Sequence, residues 1–175
     1  MKQGFSLLES VVIIALSVLL LMLLSSVMII SLKALGRGDQ KAEATQNGFI
    51  VFDAISRELR QAKKIETTLP ASEIEFEDGH STSPISYIYY HLNGTDLVRE
   101  SRRYYFSDDP STYVHKKDLD SFGNASLLQT VATSTKAEYF KAVTFTQTGH
   151  DITIDATIGQ NQTIQLQTKV SGRNL

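Results

Sequence analysis

The chain has 175 residues, 21% charged and 42% hydrophobic, with a formal net charge of −2 and no cysteine. That length suits one anchor and one domain with a real core. The charge balance offers no basic surface for nucleic acid beyond a local contact, and zero cysteines rule out disulfides, thiolate metal sites and cysteine nucleophiles.

The chain opens Met1-Lys2-Gln3-Gly4-Phe5-Ser6-Leu7-Leu8-Glu9, and an apolar run follows. No charge stands between Ser10 and Leu32, a stretch of 23 residues. As a helix it would be about 34 Å long at roughly 1.5 Å per residue, enough to cross a bilayer core of about 30 Å. Glu9 at its edge is costly in lipid, by up to a few kcal/mol near the centre, and acids tolerated there usually have partners. A secretory signal would have an apolar region of only about 7–15 residues. Ala34-Leu35-Gly36 has the form of its cleavage site, but the run is too long. Lys2 precedes the run while Lys33, Arg37 and Lys41 follow it, so charge alone would place the following chain in the cytoplasm.

The polar stretch from Lys33 to Gln46 contains Gly36 and Gly38, each costing a helix about 1 kcal/mol relative to Ala, so a helix could bend or loosen there. No proline occurs between Met1 and Leu69. Phe49, Phe52, Ile55, Leu59 and Ala62 then recur at helical spacing, with Asp53, Arg57, Glu58, Arg60 and Lys63 elsewhere on the wheel. This predicts an amphipathic helix to about residue 64, with Phe49 and Phe52 in the core and a sheet as its partner. Pro70 stops any continuation.

After Pro70 the period becomes two. Ile74 and Phe76 alternate with Glu73, Glu75 and Glu77 in a short strand ending at Asp78-Gly79. Ile85 to Leu92 and Thr95 to Ser101 form a hairpin about Asn93-Gly94, a pair suited to a type I′ turn. Tyr87, Tyr89 and Tyr90 suit a pleated, half-buried surface. Residues 107–124 are polar and predict a long surface loop, a candidate for subunit-specific contacts. Tyr139 to Gln147, Ile152 to Ile158 and Ile164 to Val170 predict a three-stranded antiparallel meander, turning at Gly149-His150 and near Gly159 to Asn161.

Catalytic signatures are missing: there is no nucleophile elbow, phosphate-binding loop, dinucleotide fingerprint or His-Glu-x-x-His motif. His80, His91, His115 and His150 show no ligand spacing, so neither an enzyme nor a cofactor is expected. Asp118 and Asp120, with Gly123, have part of the spacing of a calcium loop. Phe122 and Gln129 occupy its oxygen-ligand positions, which leaves those two acids as weak metal candidates. Asn93, Asn124 and Asn161 begin glycosylation-type triplets of the kind turns produce anyway.

One helix followed by antiparallel strands predicts an α+β domain. Lys2, Gly4, Phe5, Leu7, Leu8, Glu9 and the run after them closely resemble the class III signal of type IV pilins and the pseudopilins of type II secretion. Phe52 to Ala62 and Val170 to Asn174 are similar to the PilW and GspJ (PulJ) group of minor subunits. The resemblance implies a pilin-type fold, in which a long N-terminal helix packs on antiparallel sheet. It implies a leader (1–4) cut by prepilin peptidase between Gly4 and Phe5, with methylation of the new Phe5 terminus. Residues 5–35 would form the transmembrane and filament-core helix, 36–64 its amphipathic half and 65–175 the head. Leu7, Leu8 and Glu9 would serve assembly, Glu9 pairing with the Phe5 amine of a neighbour. The implied setting is a bacterial inner membrane with the head outside the cytoplasm, then a pilus or pseudopilus, with other pilins and an inner-membrane assembly platform as partners. The competing expectation is a single-pass anchored binding domain that never polymerises.

Overall fold

An unbroken apolar run followed by helix-forming residues without proline lets one helix propagate a long way. In the computed structural model, which describes residues 7–80, 84–160 and 163–172, α1 spans Leu7–Gln61. It continues through Gly36 and Gly38, so neither glycine interrupts it. The chain divides into two units, Met1–Gln40 and Lys41–Leu175.

In the second unit the apolar stripe of α1 faces antiparallel sheet, so the fold class is α+β. The buried helix residues are Ala44, Gly48, Val51, Phe52, Ile55, Ser56 and Leu59. Phe49, expected in the core, is 60% exposed. It lies about 100° round the helix from Gly48, and Gly48 takes the inward position at that level. A Cβ on Gly48 would lie 2.3 Å from Leu166 Cδ1 and 2.8 Å from Ile158 Cδ1, so the sheet fills the space a side chain would need. The helix ends at Gln61, ahead of Pro70, and residues expected to prolong it to 64 begin β1 (Lys64–Ile65) instead.

The first sheet continues through β2 (Ile74–Glu77), β3 (Tyr87–Asn93), β4 (Asp96–Tyr105), β5 (Tyr113–Val114) and β6 (Leu127–Ala137). β4 is central: β3 and then β5 lie along one edge, and β6 along the other. In the β3–β4 hairpin Asn93 pairs with Asp96, making Gly94-Thr95 the two-residue loop. Only Gly94 of the pair has positive φ, 64°. That is the pattern of a type II′ turn, not the type I′ turn expected at Asn93-Gly94. β6 was not anticipated, because its run of Thr, Gln, Ala and Ser shows no apolar alternation.

β7 (Phe140–Thr148), β8 (Asp151–Ile158) and β9 (Ile164–Ser171) form the expected meander. Its first turn is Gly149-His150, with Gly149 at φ 62°. Asn161, in the second turn, lies outside the described residues. The sheets meet where Ala71 bridges Phe145 and where the Phe140 N–H donates to the Thr95 carbonyl at 2.8 Å. Phe52, Ile55, Leu59, Phe76, Tyr90, Phe140, Phe145, Ile154 and Ile158 share one core, each large apolar side chain contributing about 1.5–3 kcal/mol by burial. A polar clamp flanks it: Glu58 of α1 accepts from Tyr90 Oη at 2.7 Å and from Arg99 Nε at 3.0 Å.

The turn after β2 approaches the helix end closely, and a Cβ on Gly79 would lie 1.7 Å from the Gln61 carbonyl oxygen. Backbone, unlike a side-chain tip, cannot swing aside. Gly79→Ala is expected to destabilise the fold by about 1–3 kcal/mol, the usual range for overpacking, read as a lower urea midpoint.

Candidate functional site

Two regions carry the functional candidates. The first is the start of α1. Gly4 and Phe5 lie outside the described residues. Leu7 and Leu8 are 84% and 76% exposed, and the large apolar side chains onward to Leu35 are exposed as well. By length and composition this helix can cross a membrane. Ser17 and Ser26 do not oppose that, since their hydroxyls donate to the carbonyls of Ile13 and Leu23, each at 2.8 Å, which satisfies them within the helix. Glu9 lies in the first turn, where a carboxylate is favoured by the positive end of the helix dipole.

The second region is the polar face of the first sheet. Alternation in Ile-Glu-Phe-Glu puts Ile74 and Phe76 against the core and Glu75 and Glu77 on the opposite face, but all four residues of β2 are buried. The cover comes from residues 107–126, so the expected surface loop is a strap laid across the sheet and pinned by β5. Three consecutive strap residues each meet a different carboxylate. His115 Nδ1 lies 3.4 Å from Glu77 Oε2, Lys116 Nζ pairs with Glu75, and Lys117 Nζ lies 2.9 Å from Glu66 Oε2. From the sheet side Tyr104 Oη donates to Glu75 at 2.7 Å, Lys63 reaches Glu77 at 3.4 Å and Lys64 reaches Glu66 at 2.6 Å. Tyr87 Oη accepts from the Lys116 N–H at 3.1 Å.

Buried carboxylates require this compensation, since an unpaired charge out of water costs several kcal/mol. Burial raises the Tyr104 pKa and the neighbouring Glu75 raises it further, so its hydroxyl stays a donor. Tyr87 is pushed up to about 12, chiefly by burial. For Glu66 burial pulls the pKa upward, but hydrogen bonds from Lys64 and Lys117 and their charges outweigh it, and the net shift is downward.

The weak metal candidates have other work within the strap. Asp118 Oδ2 accepts from the His115 N–H at 2.9 Å. Asp120 Oδ1 accepts from the N–H groups of Phe122 and Asn124 at 2.8 and 2.7 Å, and its Oδ2 from Asn124 Nδ2 at 2.8 Å. Among the described residues no group of three or more His, Asp or Glu side chains is placed to hold a metal ion. The Glu66, Glu75 and Glu77 cluster was missed from sequence. Its available signal was the acid alternation of β2 together with His115-Lys116-Lys117 in an otherwise acidic loop.

No family model, no curated protein and no solved structure matches this chain.

The sign of the pH dependence follows from Glu66. A carboxylate with a lowered folded pKa contributes stability that is complete above its ordinary value of 4.5 and is lost as pH falls through the folded value. The urea midpoint is expected to drop as pH is lowered below about 4.5, with a shallower drop in Glu66→Gln. At neutral pH Lys116→Ala leaves Glu75 to Tyr104 and the more distant Arg102, and should cost about 1–3 kcal/mol.

Proposed function

We propose that the chain is a structural subunit of a type IV pilus-like filament, a minor pilin or pseudopilin with the pilin-type fold. It would be stored in the inner membrane with its head outside the cytoplasm and processed by prepilin peptidase at Gly4-Phe5. The observation that carries this reading is Glu9, an acid in the first turn of a 55-residue helix whose following apolar side chains are exposed as far as Leu35. Within lipid such an acid is costly. Beside the free amine that cleavage would create on a neighbour's Phe5, it becomes a partner that sets register in a bundle, as buried polar pairs do in coiled coils.

Helix-to-helix packing of the apolar segment would form the filament core, and the head would supply contacts specific to this subunit. The role is mechanical and interfacial, in priming a filament or forming its tip for pilus biogenesis or secretion, and it calls for no catalysis or cofactor. Other pilins and an inner-membrane assembly platform are the corresponding partners.

Mass spectrometry of the protein from its native host should show a chain starting at Phe5 and bearing one added methyl group, with Gly4→Ala retaining residues 1–4. Glu9→Val should reduce incorporation into filaments at least tenfold, which is about 1.4 kcal/mol or more, while the head stays folded. An uncut, unmethylated chain would favour the anchored binding domain. Normal assembly of Glu9→Val would remove the role given to that acid.

A further inference from the structure

The strap is attached to the first sheet by different means from those that hold the rest of the head. Residues 107–126, all of them described, include none that is buried, and none belongs to the hydrophobic core. Tyr113 and Val114 are half-buried, while Leu119 and Phe122 are exposed. Yet Glu75, Glu77, Tyr87 and Tyr104, on the face the strap crosses, are all buried. Apolar burial therefore does little to hold the strap down.

Its hydrogen bonding is mostly with itself. Among the described residues, backbone-to-backbone bonds between strap and sheet are confined to the two-residue ladder of β5 with β4. Within the strap, Asp118 accepts from the His115 N–H, Ser126 Oγ donates to the Lys116 carbonyl at 2.8 Å, the Ser126 N–H donates to the Asp118 carbonyl at 3.3 Å, and Leu119 bridges Ala125. A segment tied to itself in this way moves as a body.

The ion pairs supply a second, independent observation, because each carboxylate beneath the strap has one partner on it and another off it. Glu66 meets Lys117 and Lys64, Glu77 meets His115 and Lys63, and Glu75 meets Lys116 as well as Tyr104 and, at 3.8 Å, Arg102. Lifting the strap leaves no carboxylate without a partner, and it returns His115, Lys116 and Lys117 to water. The heavy penalty of a stranded buried charge is avoided, and the desolvation cost of the pairs is recovered.

We propose that residues 107–126 form a lid that opens as one unit while α1 and both sheets stay folded, uncovering Glu75, Glu77 and the edge-to-face pair Tyr87 and Tyr104, whose ring centroids lie 5.1 Å apart. Local opening of this kind belongs to segments with few buried apolar contacts. Its hinges are the Ser107–Pro110 stretch after β4 and the entry to β6 at Leu127.

The lid is independent of the filament reading, and its test is native-state hydrogen exchange followed by mass spectrometry on the full chain in detergent. Peptides covering Tyr113–Lys117 should exchange about a hundredfold faster than those covering β3 and β4. Lys117→Met, which contacts only Glu66 of the three acids, should accelerate exchange roughly threefold, at Tyr113–Val114 as much as at residue 117. Ile88→Val, on the core face of β3, should accelerate β3 and β4 several-fold and leave the strap unchanged. Three results would each overturn the lid: strap protection equal to that of β3 and β4, an Ile88→Val effect of the same size in the strap, or a Lys117→Met effect confined to its immediate neighbours.

Discussion

The inward stripe of α1, from Ala44 through Val51, Phe52, Ile55 and Leu59, is the surface on which both sheets of the head meet. Two short sheets joined by few contacts cannot exclude water by themselves. One helix lying across both supplies the missing layer, and its fit depends on Gly48, which lets Ile158 and Leu166 come up to the helix. Phe49 and Ile50 are exposed as a consequence, since a side chain about 100° or more from the stripe cannot reach the sheets.

The opposite face of the first sheet is held by different physics. Glu75 and Glu77 are buried beneath a strap that brings Lys116 and His115 to them, while Tyr104 of β4 donates its hydroxyl to Glu75 from the sheet side. Such networks add less net stability than apolar packing of the same volume, because desolvation offsets most of the attraction. What they do provide is position. Three carboxylates each matched to one of three consecutive strap residues admit one register, and that register carries the chain on to present Phe122 and begin β6.

The N-terminal part of α1 is different again. Its apolar side chains from Leu7 to Leu35 have exposures suited to lipid or to other helices, and Glu9 stands among them as the one acid. On the proposed reading, lipid covers this segment during storage and neighbouring subunits cover it in the filament. The acid is then tolerated because of what it meets in the assembled state.

Much of this architecture could be read locally. An apolar run without charge or proline implies a long helix whatever surrounds it, and strict alternation after Gly149 implies a meander, because side-chain direction in helices and strands follows from backbone geometry alone. Other features depended on contacts between distant residues. β6 forms because β4 offers it a ladder, and its Thr- and Ser-rich sequence has no buried face to betray it. Gly48 displaces Phe49 from the core because two strands more than a hundred residues later approach the helix there. Glu75 and Glu77 are buried only because Lys116 and its neighbours fold back over them; pairing across such separations has no trace in a local period, and only the closed tertiary structure brings the partners within reach.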